Sequence, residues 1–421
     1  MASALGPVTA LLISVAILLM GNGLQSTLLP VRANIEAFST LQIGILGSFY
    51  FLGFAAGCLM APYVVRRVGH IRAFTAMVSI ASAVALAHAM AVSPYVWWPL
   101  RAMTGFCFAA LFMIIESWLN ERSTNETRGF VFSIYAVINL TVLTLGQLMI
   151  VLDSPTAFTL FAVSSILVSL AAVPVAMTTA PAPAPIDQVG IRIGRLFKTS
   201  PVGFAGCFVV GAVNGCFWSL GPLFAQESGL SVGGIAVFMS VTVIAGAIGQ
   251  YPLGRASDKT DRRRIIVGIA LAAAAAGIAL VTVAPNWPPG TLVFSFLFGA
   301  FAFPLYAVSV AHTNDHVSPQ DYVEVAGGLL LLYALGAVVG PMAASGLMAR
   351  FGPNSLFAFT AATQTALALF VLVRMQVRDR APAADRGDFT DSLVATATLS
   401  PMDPAAFDEV DEQDAAAATG R

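Results

Sequence analysis

Long apolar stretches alternate with short polar breaks along most of this chain. A membrane-spanning helix needs roughly 20 apolar residues at ~1.5 Å per residue. Twelve stretches of about that length are present, six on each side of a polar break. They lie at 6–29, 40–64, 73–92, 95–118, 129–151 and 156–177, and then at 201–225, 232–254, 265–284, 290–311, 324–348 and 354–374. The pattern predicts an all-α integral membrane protein with twelve transmembrane helices in two pseudo-symmetric six-helix bundles.

The polar segments set the predicted domain limits. Residues 178–200 contain an Ala-Pro alternation that cannot continue a helix, which indicates a linker. The N-terminal bundle is therefore placed at 1–177 and the C-terminal bundle at 201–376. Residues 377–421 are rich in Ala and Asp, cannot bury a core, and are expected to form a disordered cytoplasmic tail.

Two short basic hinges occupy equivalent places in the halves, PYVVRRVGHIR at 62–72 and GRASDKTDRRR at 254–264. Cationic loops stay on the cytoplasmic side of a membrane. Of the 21 lysines and arginines, Arg32 and Arg350 fall on the opposite side, Arg101 falls within a span, and the remaining eighteen fall on the side of the hinges. We therefore expect a multi-pass protein of the inner or plasma membrane, with both termini in the cytoplasm.

The composition narrows the range of possible functions. The chain is 57% hydrophobic, its mean hydropathy is +0.82 and its net charge is −1, so nothing indicates nucleic-acid binding. The four cysteines sit singly in apolar stretches, and His312, His316 and Asp315 lack a further firm ligand, so we expect no metal. No phosphate-binding loop for ATP and no catalytic cluster at membrane depth is visible. The sequence therefore predicts no cofactor and no enzymatic activity.

The halves also repeat internally. A shift of 192–194 residues aligns Gly105 with Gly299, and Gly146 with Gly340. Internal repeats around a central cavity are typical of secondary transporters. Three pairs, Gly53/Gly57, Gly211/Gly215 and Gly336/Gly340, have the GxxxG spacing that favours close helix packing.

At these residues the chain resembles the major facilitator superfamily, over 6–376. That superfamily's hinge reads G-x-x-x-D-[RK]-x-G-[RK]-[RK]. The second hinge matches it with Gly254, Asp258, Lys259, Arg262 and Arg263, but has Asp261 in place of the second Gly. The first hinge keeps Arg67, Gly69 and Arg72, with Pro62 and Arg66 in place of Gly and Asp. The segments IESWLN, RGFVFSIY, GQYPLGRASDK and ALGAVVGP are similar to the YcaD-like branch of facilitators.

The resemblance implies that helices 1, 4, 7 and 10 line a substrate cavity and that helices 2, 5, 8 and 11 flank it. Arg101 is the sharpest candidate, because a cation within a span is costly unless it faces the bundle interior. It either binds an anion or tunes a proton site; the plainer alternative is a side chain that snorkels to the interface. The candidate cavity residues are Asn22, Gln25, Tyr50, Arg101, Tyr135, Asn139, Asn214, Trp218, Tyr306 and Tyr333. Interhelical hydrogen bonding is the alternative for each polar one.

Glu116 lies 15 residues beyond Arg101, ~22 Å along the same helix, too far for a direct pair. We expect it to pair with Arg66 or Arg67 as a gate lock; the alternatives are a solvated helix end or a proton carrier. Asp258 is expected to pair with Arg262 across one helical turn, or to cap a neighbouring helix. The candidate gating residues are Arg66, Arg67, Gly69, Arg72, Glu116, Gly254, Asp258, Lys259 and Arg262.

The sequence thus predicts a monomeric secondary active transporter. It would move a small molecule across the lipid bilayer by alternating access, coupled to protons. The alternative is a receptor or scaffold that keeps the fold and does not transport. The sparse intramembrane charge favours a neutral, amphipathic or singly anionic substrate.

Overall fold

The computed structural model describes residues 8–123, 125–177, 193–287, 289–317 and 322–377. Over these residues, twelve helices are long and apolar enough to cross a membrane. They are α1 Thr9–Ile35, α2 Thr40–Val68, α3 His70–Met90, α4 Pro94–Glu121, α5 Asn125–Leu148, α6 Phe158–Ala176, α7 Pro201–Glu227, α8 Val232–Lys259, α9 Arg262–Thr282, α10 Gly290–Asn314, α11 Tyr322–Phe351 and α12 Ser355–Val377. The predicted helical membrane fold is confirmed.

Several helices extend beyond the apolar stretches that predicted them. The first was expected to end at residue 29, but α1 continues through Pro30 to Ile35. The second was expected to end at residue 64, but α2 includes the two arginines of the first hinge and ends at Val68. Hydropathy reports contact with lipid, and a helix can continue into water after its apolar part ends. The charged hinges are therefore mostly helix termini, with short turns between them.

The predicted linker is partly helical. Ile193–Thr199 forms a short helix before α7, which the Ala-Pro pattern upstream did not indicate. Leu196 is buried against the C-terminal half, and the ring of Phe197 lies 5.2 Å from that of Phe204. The Ala-Pro stretch itself and the predicted tail from 378 lie outside the described residues.

The connections define the two ends of the bundle. We call one the loop end; its turns lie at 36–39, 91–93, 153–157, 228–231, 283–287 and 352–354. We call the other the hinge end; it carries the two basic hinges, residues 122–123 and the start of α7. The N-terminal half is α1–α6 and the C-terminal half is α7–α12.

Glycine seams hold each half together. A Cβ on Gly53 of α2 would overlap the carbonyl of Ala102 in α4, and a Cβ on Gly340 of α11 would come within 2.7 Å of the Cα of Ala212 in α7. Gly146 meets α1 and Gly299 meets α8 at similarly close range. The GxxxG interpretation as close packing is confirmed. The α1/α5 and α2/α4 seams of one half correspond to the α7/α11 and α8/α10 seams of the other.

The halves meet at the loop end. One apolar core there combines residues of both halves, from Leu24 to Phe357. Towards the hinge end the cores are separate, one built from the N-terminal half and two from the C-terminal half. Across the loop-end contact, the Ser48 hydroxyl donates to the carbonyl of Val338 at 2.7 Å. Gly44 lies so close to Ser345 that no side chain fits between them. We call this contact the loop-end seal.

Candidate functional site

A cavity of about 250 Å³ lies between the halves, on the hinge side of the loop-end seal. The two halves contribute unequally to its wall. All lining residues except Trp218, Ser219 and Tyr333 come from the N-terminal half. Contrary to the expected arrangement, α2 and α5 contribute more of the wall than α4, and no residue of α10 lines it.

Six of the ten predicted cavity residues lie on this wall: Asn22, Tyr50, Arg101, Asn139, Trp218 and Tyr333. They come from six different helices, and Asn22 and Tyr333 are 311 residues apart in the sequence. The fold therefore brings them to one place, and their role in substrate binding stays a prediction.

Arg101 is the charged group of this wall. Its side chain is only 8% exposed, and its guanidinium carbon lies 4.4 Å from the centroid of the Tyr50 ring. Among the described residues it makes no hydrogen bond or ion pair, and Nη1 is buried without a partner. A guanidinium over an aromatic ring keeps its N–H donors available for hydrogen bonds to other groups. Arg101 therefore does not snorkel to an interface.

The two halves give the wall different chemistry. On the N-terminal side, Asn22 lies beside the Tyr50 hydroxyl, and the side-chain oxygens of Asn22 and Asn139 are buried without a hydrogen-bond partner. On the C-terminal side, Trp218 stacks parallel on Phe303 with the ring centroids 6.0 Å apart. The cavity wall is thus mostly apolar, with its one cationic group and its asparagines on the N-terminal side and Trp218 and Tyr333 on the C-terminal side.

Four predicted cavity residues lie behind the wall. Tyr306 packs edge-on against Tyr333 at 5.2 Å, and Asn214 lies beside the same tyrosine. Gln25 is 1% exposed within α1. Tyr135 is fully buried in the N-terminal half and donates to Glu116 Oε1 at 3.2 Å. These side chains support the wall in this conformation and do not line it.

The second hinge is organised around Arg262. Arg262 Nη2 lies 3.2 Å from Asp258 Oδ1, which confirms the predicted pairing across one turn. Its Nε also lies 2.9 Å from Asp315 Oδ2 as an ion pair, and both side chains are at most 4% exposed. Asp315, at the end of α10, was not predicted to belong to the hinge. Arg262 therefore ties the end of α8, the start of α9 and the end of α10 together.

Asp261 takes the place of the expected glycine by capping α9. Its carboxylate accepts from the backbone N–H of Arg263 at 3.0 Å and pairs with the Arg263 Nη2 at 2.8 Å. Burial acts to raise the pKa of Asp261, but these hydrogen bonds and the charge of Arg263 outweigh it and hold the pKa below its usual range. In the first hinge, Gly69 has φ +86°, a conformation that favours glycine. The two hinges thus turn by different means.

The predicted gate lock is not formed in this structure. Arg66 and Arg67 are exposed, and Arg66 lies 5.9 Å from the Tyr63 ring. Glu116 is 3% exposed and takes the hydrogen bond from Tyr135, so it is not a solvated helix end. The arginines face water while Glu116 points into its own half. Arg72 and Lys259 are exposed too, and Gly254 is buried.

The chain matches the Major Facilitator Superfamily over residues 11–245 and 203–405. It belongs to that superfamily, and it is a multi-pass membrane protein of the transporter class.

Relatives in sequence and structure agree. The chain is 28% identical over 375 residues to YcaD of Escherichia coli O17:K52:H18, described as an uncharacterized MFS-type transporter, covering 87% of this chain and 95% of that one. Its fold is similar to the nucleoside transporter NupG, with a TM-score of 0.76, 14% identity, and coverage of 89% of this chain and 100% of that one. It is also similar to a bacterial homolog of the human lysosomal transporter Spinster in an inward-facing, unoccupied conformation, with a TM-score of 0.66, 16% identity, and coverage of 93% and 97%.

Proposed function

We propose that this protein is a secondary active transporter that moves a small molecule by alternating access. The observation that carries the proposal is the one-sided packing between the halves. They share a continuous core at the loop end and have separate cores at the hinge end, with the cavity between. The glycine seams make each half a rigid unit. When two such halves close one end of the cavity at a time, the molecule in the cavity reaches each side of the membrane in turn.

The charge pattern supports an orientation for this conformation. With the hinge end and both termini in the cytoplasm, as the distribution of lysine and arginine favours, the open side of the cavity faces the cytoplasm. The conformation is then inward-facing and the loop-end seal is the closed outer gate. In that state Glu116 and the first-hinge arginines are apart, and the proposed lock between them belongs to the outward-facing state.

Proton coupling is a further part of the proposal, and it centres on Glu116. A carboxylate 3% exposed within an apolar helix is expensive to keep charged, so a change of surroundings between states can bind or release a proton. FucP, whose fold is similar, is described as a fucose:proton symporter, so proton coupling occurs in a protein of similar fold. Glu116→Gln is expected to remove the pH dependence of transport, and unchanged pH dependence would contradict this role.

Paired distance measurements test alternating access directly. Spin labels at Thr156 and Asn354 report the loop end, and labels at Arg67 and Lys259 report the hinge end; all four side chains are exposed. In liposomes, double electron–electron resonance should show two populations at each end, with the long distance at one end accompanied by the short distance at the other.

Counterflow of labelled small metabolites through proteoliposomes supplies the functional readout. Exchange that depends on the protein supports transport. A single distance population at both ends, together with no exchange over a broad panel, would favour the receptor or scaffold alternative.

A further inference from the structure

The cavity wall carries one net positive charge. Its lining residues are neutral apart from Arg101. The guanidinium contacts the Tyr50 ring, and it makes no hydrogen bond or ion pair to any residue that the structure describes. Nη1 is buried, and its N–H donors have no acceptor among the residues that the structure describes.

The ring contact does not compensate this charge. An arginine within a membrane helix is costly unless its charge is compensated. A cation–π contact returns only part of that cost, and the ring cannot accept the in-plane N–H donors. The side chain is 8% exposed, so water reaches it poorly. A buried cation of this kind needs an anion beside it.

No carboxylate among the described residues supplies that anion in this state. Glu116 is 15 residues further along α4, ~22 Å away, where it holds the Tyr135 hydroxyl. Glu36, at the loop end of α1, pairs with Arg32 at 2.6 Å. The alternative role of Arg101, electrostatic control of a proton-carrying carboxylate, requires a carboxylate close by, and the cavity wall has none.

We propose that the substrate itself is the counter-ion: the cavity takes a small amphipathic monoanion, such as a monocarboxylate with an apolar body. This rests on the proposed transport function and specifies its cargo. The anionic group lies at Arg101. The apolar body packs against Trp218 and Tyr333 on the opposite side. A cation is repelled, and a dianion brings one charge that the wall cannot neutralise.

Matched acid and amide pairs test the charge requirement. The probes are 3-phenylpropionate, indole-3-acetate and 4-methylpentanoate, each with its primary amide, and phenylsuccinate as the dianion. Binding to the detergent-purified protein is measured by thermal shift and by isothermal titration calorimetry. At least one acid should bind at least tenfold more tightly than its amide and than the dianion.

Arg101→Gln should reduce that acid preference at least tenfold. Without any ligand, the same variant should melt at a higher temperature than the wild type, because it removes an uncompensated buried charge. Arg350→Gln removes an exposed arginine at the loop end and should change neither quantity. Equal binding of acids and amides, an acid preference that survives Arg101→Gln, or no stabilisation by any acid in the panel would overturn the proposal.

Counterflow with the same compounds separates this proposal from the proposed function. An acid that binds through Arg101 but never exchanges across the membrane would contradict transport and keep the anion site. Exchange of a neutral or cationic solute that Arg101→Gln leaves unaffected would keep transport and contradict the anionic substrate.

Discussion

Gly44 offers a way to open the loop-end seal with one methyl group. A Cβ at this position would lie 2.7 Å from the carbonyl oxygen of Pro341, about 0.7 Å short of an ordinary 3.4 Å contact, and closer still to Ser345. The serine hydroxyl can rotate away, but the Ser345 Cβ and the Pro341 carbonyl are fixed to the backbone of α11 and cannot. Gly44→Ala therefore forces α2 and α11 apart in the state that the structure describes.

The size of the effect follows from the overlap. Inserting one methyl group into a well-packed contact costs about 1–3 kcal/mol. The outward-facing state required by the proposed alternating access would separate these helices and avoid that cost. The population ratio of the two states should therefore move roughly 5–150-fold towards the open loop end. The gain in helix propensity from glycine to alanine, about 0.5–1 kcal/mol, is the same in both states and does not contribute.

The loop-end label pair at Thr156 and Asn354 measures this shift, after replacement of the four native cysteines. Two matched glycines serve as controls. Gly105→Ala brings a comparable clash, with the backbone of α2 inside the same half, and should lower the melting temperature without moving the distance populations. Gly268→Ala meets nothing within 4 Å and should change neither. An unchanged loop-end distance in Gly44→Ala, or an equal shift in Gly105→Ala, would refute the reasoning.

Three other predictions concern the hinge and the topology. Arg262→Gln should destabilise the protein by about 3–5 kcal/mol, because it removes the Arg262 partner of the buried Asp315 carboxylate, and Asp315→Asn should cost less, because Arg262 keeps its pair with Asp258; the double variant should lose less than the sum, and additive losses in denaturation would contradict the pair. Asp261→Asn should lower the melting temperature at neutral pH, and its difference from the wild type should shrink as the pH falls below ~3.9, because a carboxyl whose folded pKa is depressed loses its stabilising effect on protonation; a pH-independent difference would contradict this. Single cysteines at Lys198 and Asn354 should react with impermeant reagents from opposite sides of the membrane, and reaction from the same side would contradict the six-plus-six topology.

The fold was largely predictable because hydropathy and helix spacing act locally. Twelve apolar stretches identify twelve helices, and glycines at GxxxG spacing identify the seams. The i,i+4 pair of Asp258 and Arg262 was predictable for the same reason. Asp315 joins that pair from α10, more than 50 residues away, and no local pattern relates the two.

The cavity was predictable only in outline. Polar residues in apolar helices are visible in the sequence, but whether each reaches the cavity depends on the rotation of its helix and on the state of the transporter. Tyr333 reaches the wall and Tyr306 stands directly behind it. The position of Glu116 was not predictable for the same reason. Its hydrogen bond to Tyr135 depends on how α4 packs against α5, and the distribution of charges along the sequence does not reveal that packing.

The unequal sharing of the cavity wall has a consequence for how specificity can change. If the N-terminal half holds the substrate and the C-terminal half moves over it, recognition of the substrate depends almost entirely on the first 150 residues. A chimera that keeps residues 1–177 and takes its remaining helices from a relative should retain the parent's choice of cargo, provided the loop-end seal still closes. Apart from Trp218 and Tyr333, which face the cavity, the C-terminal half is then free to diverge in gating and regulation.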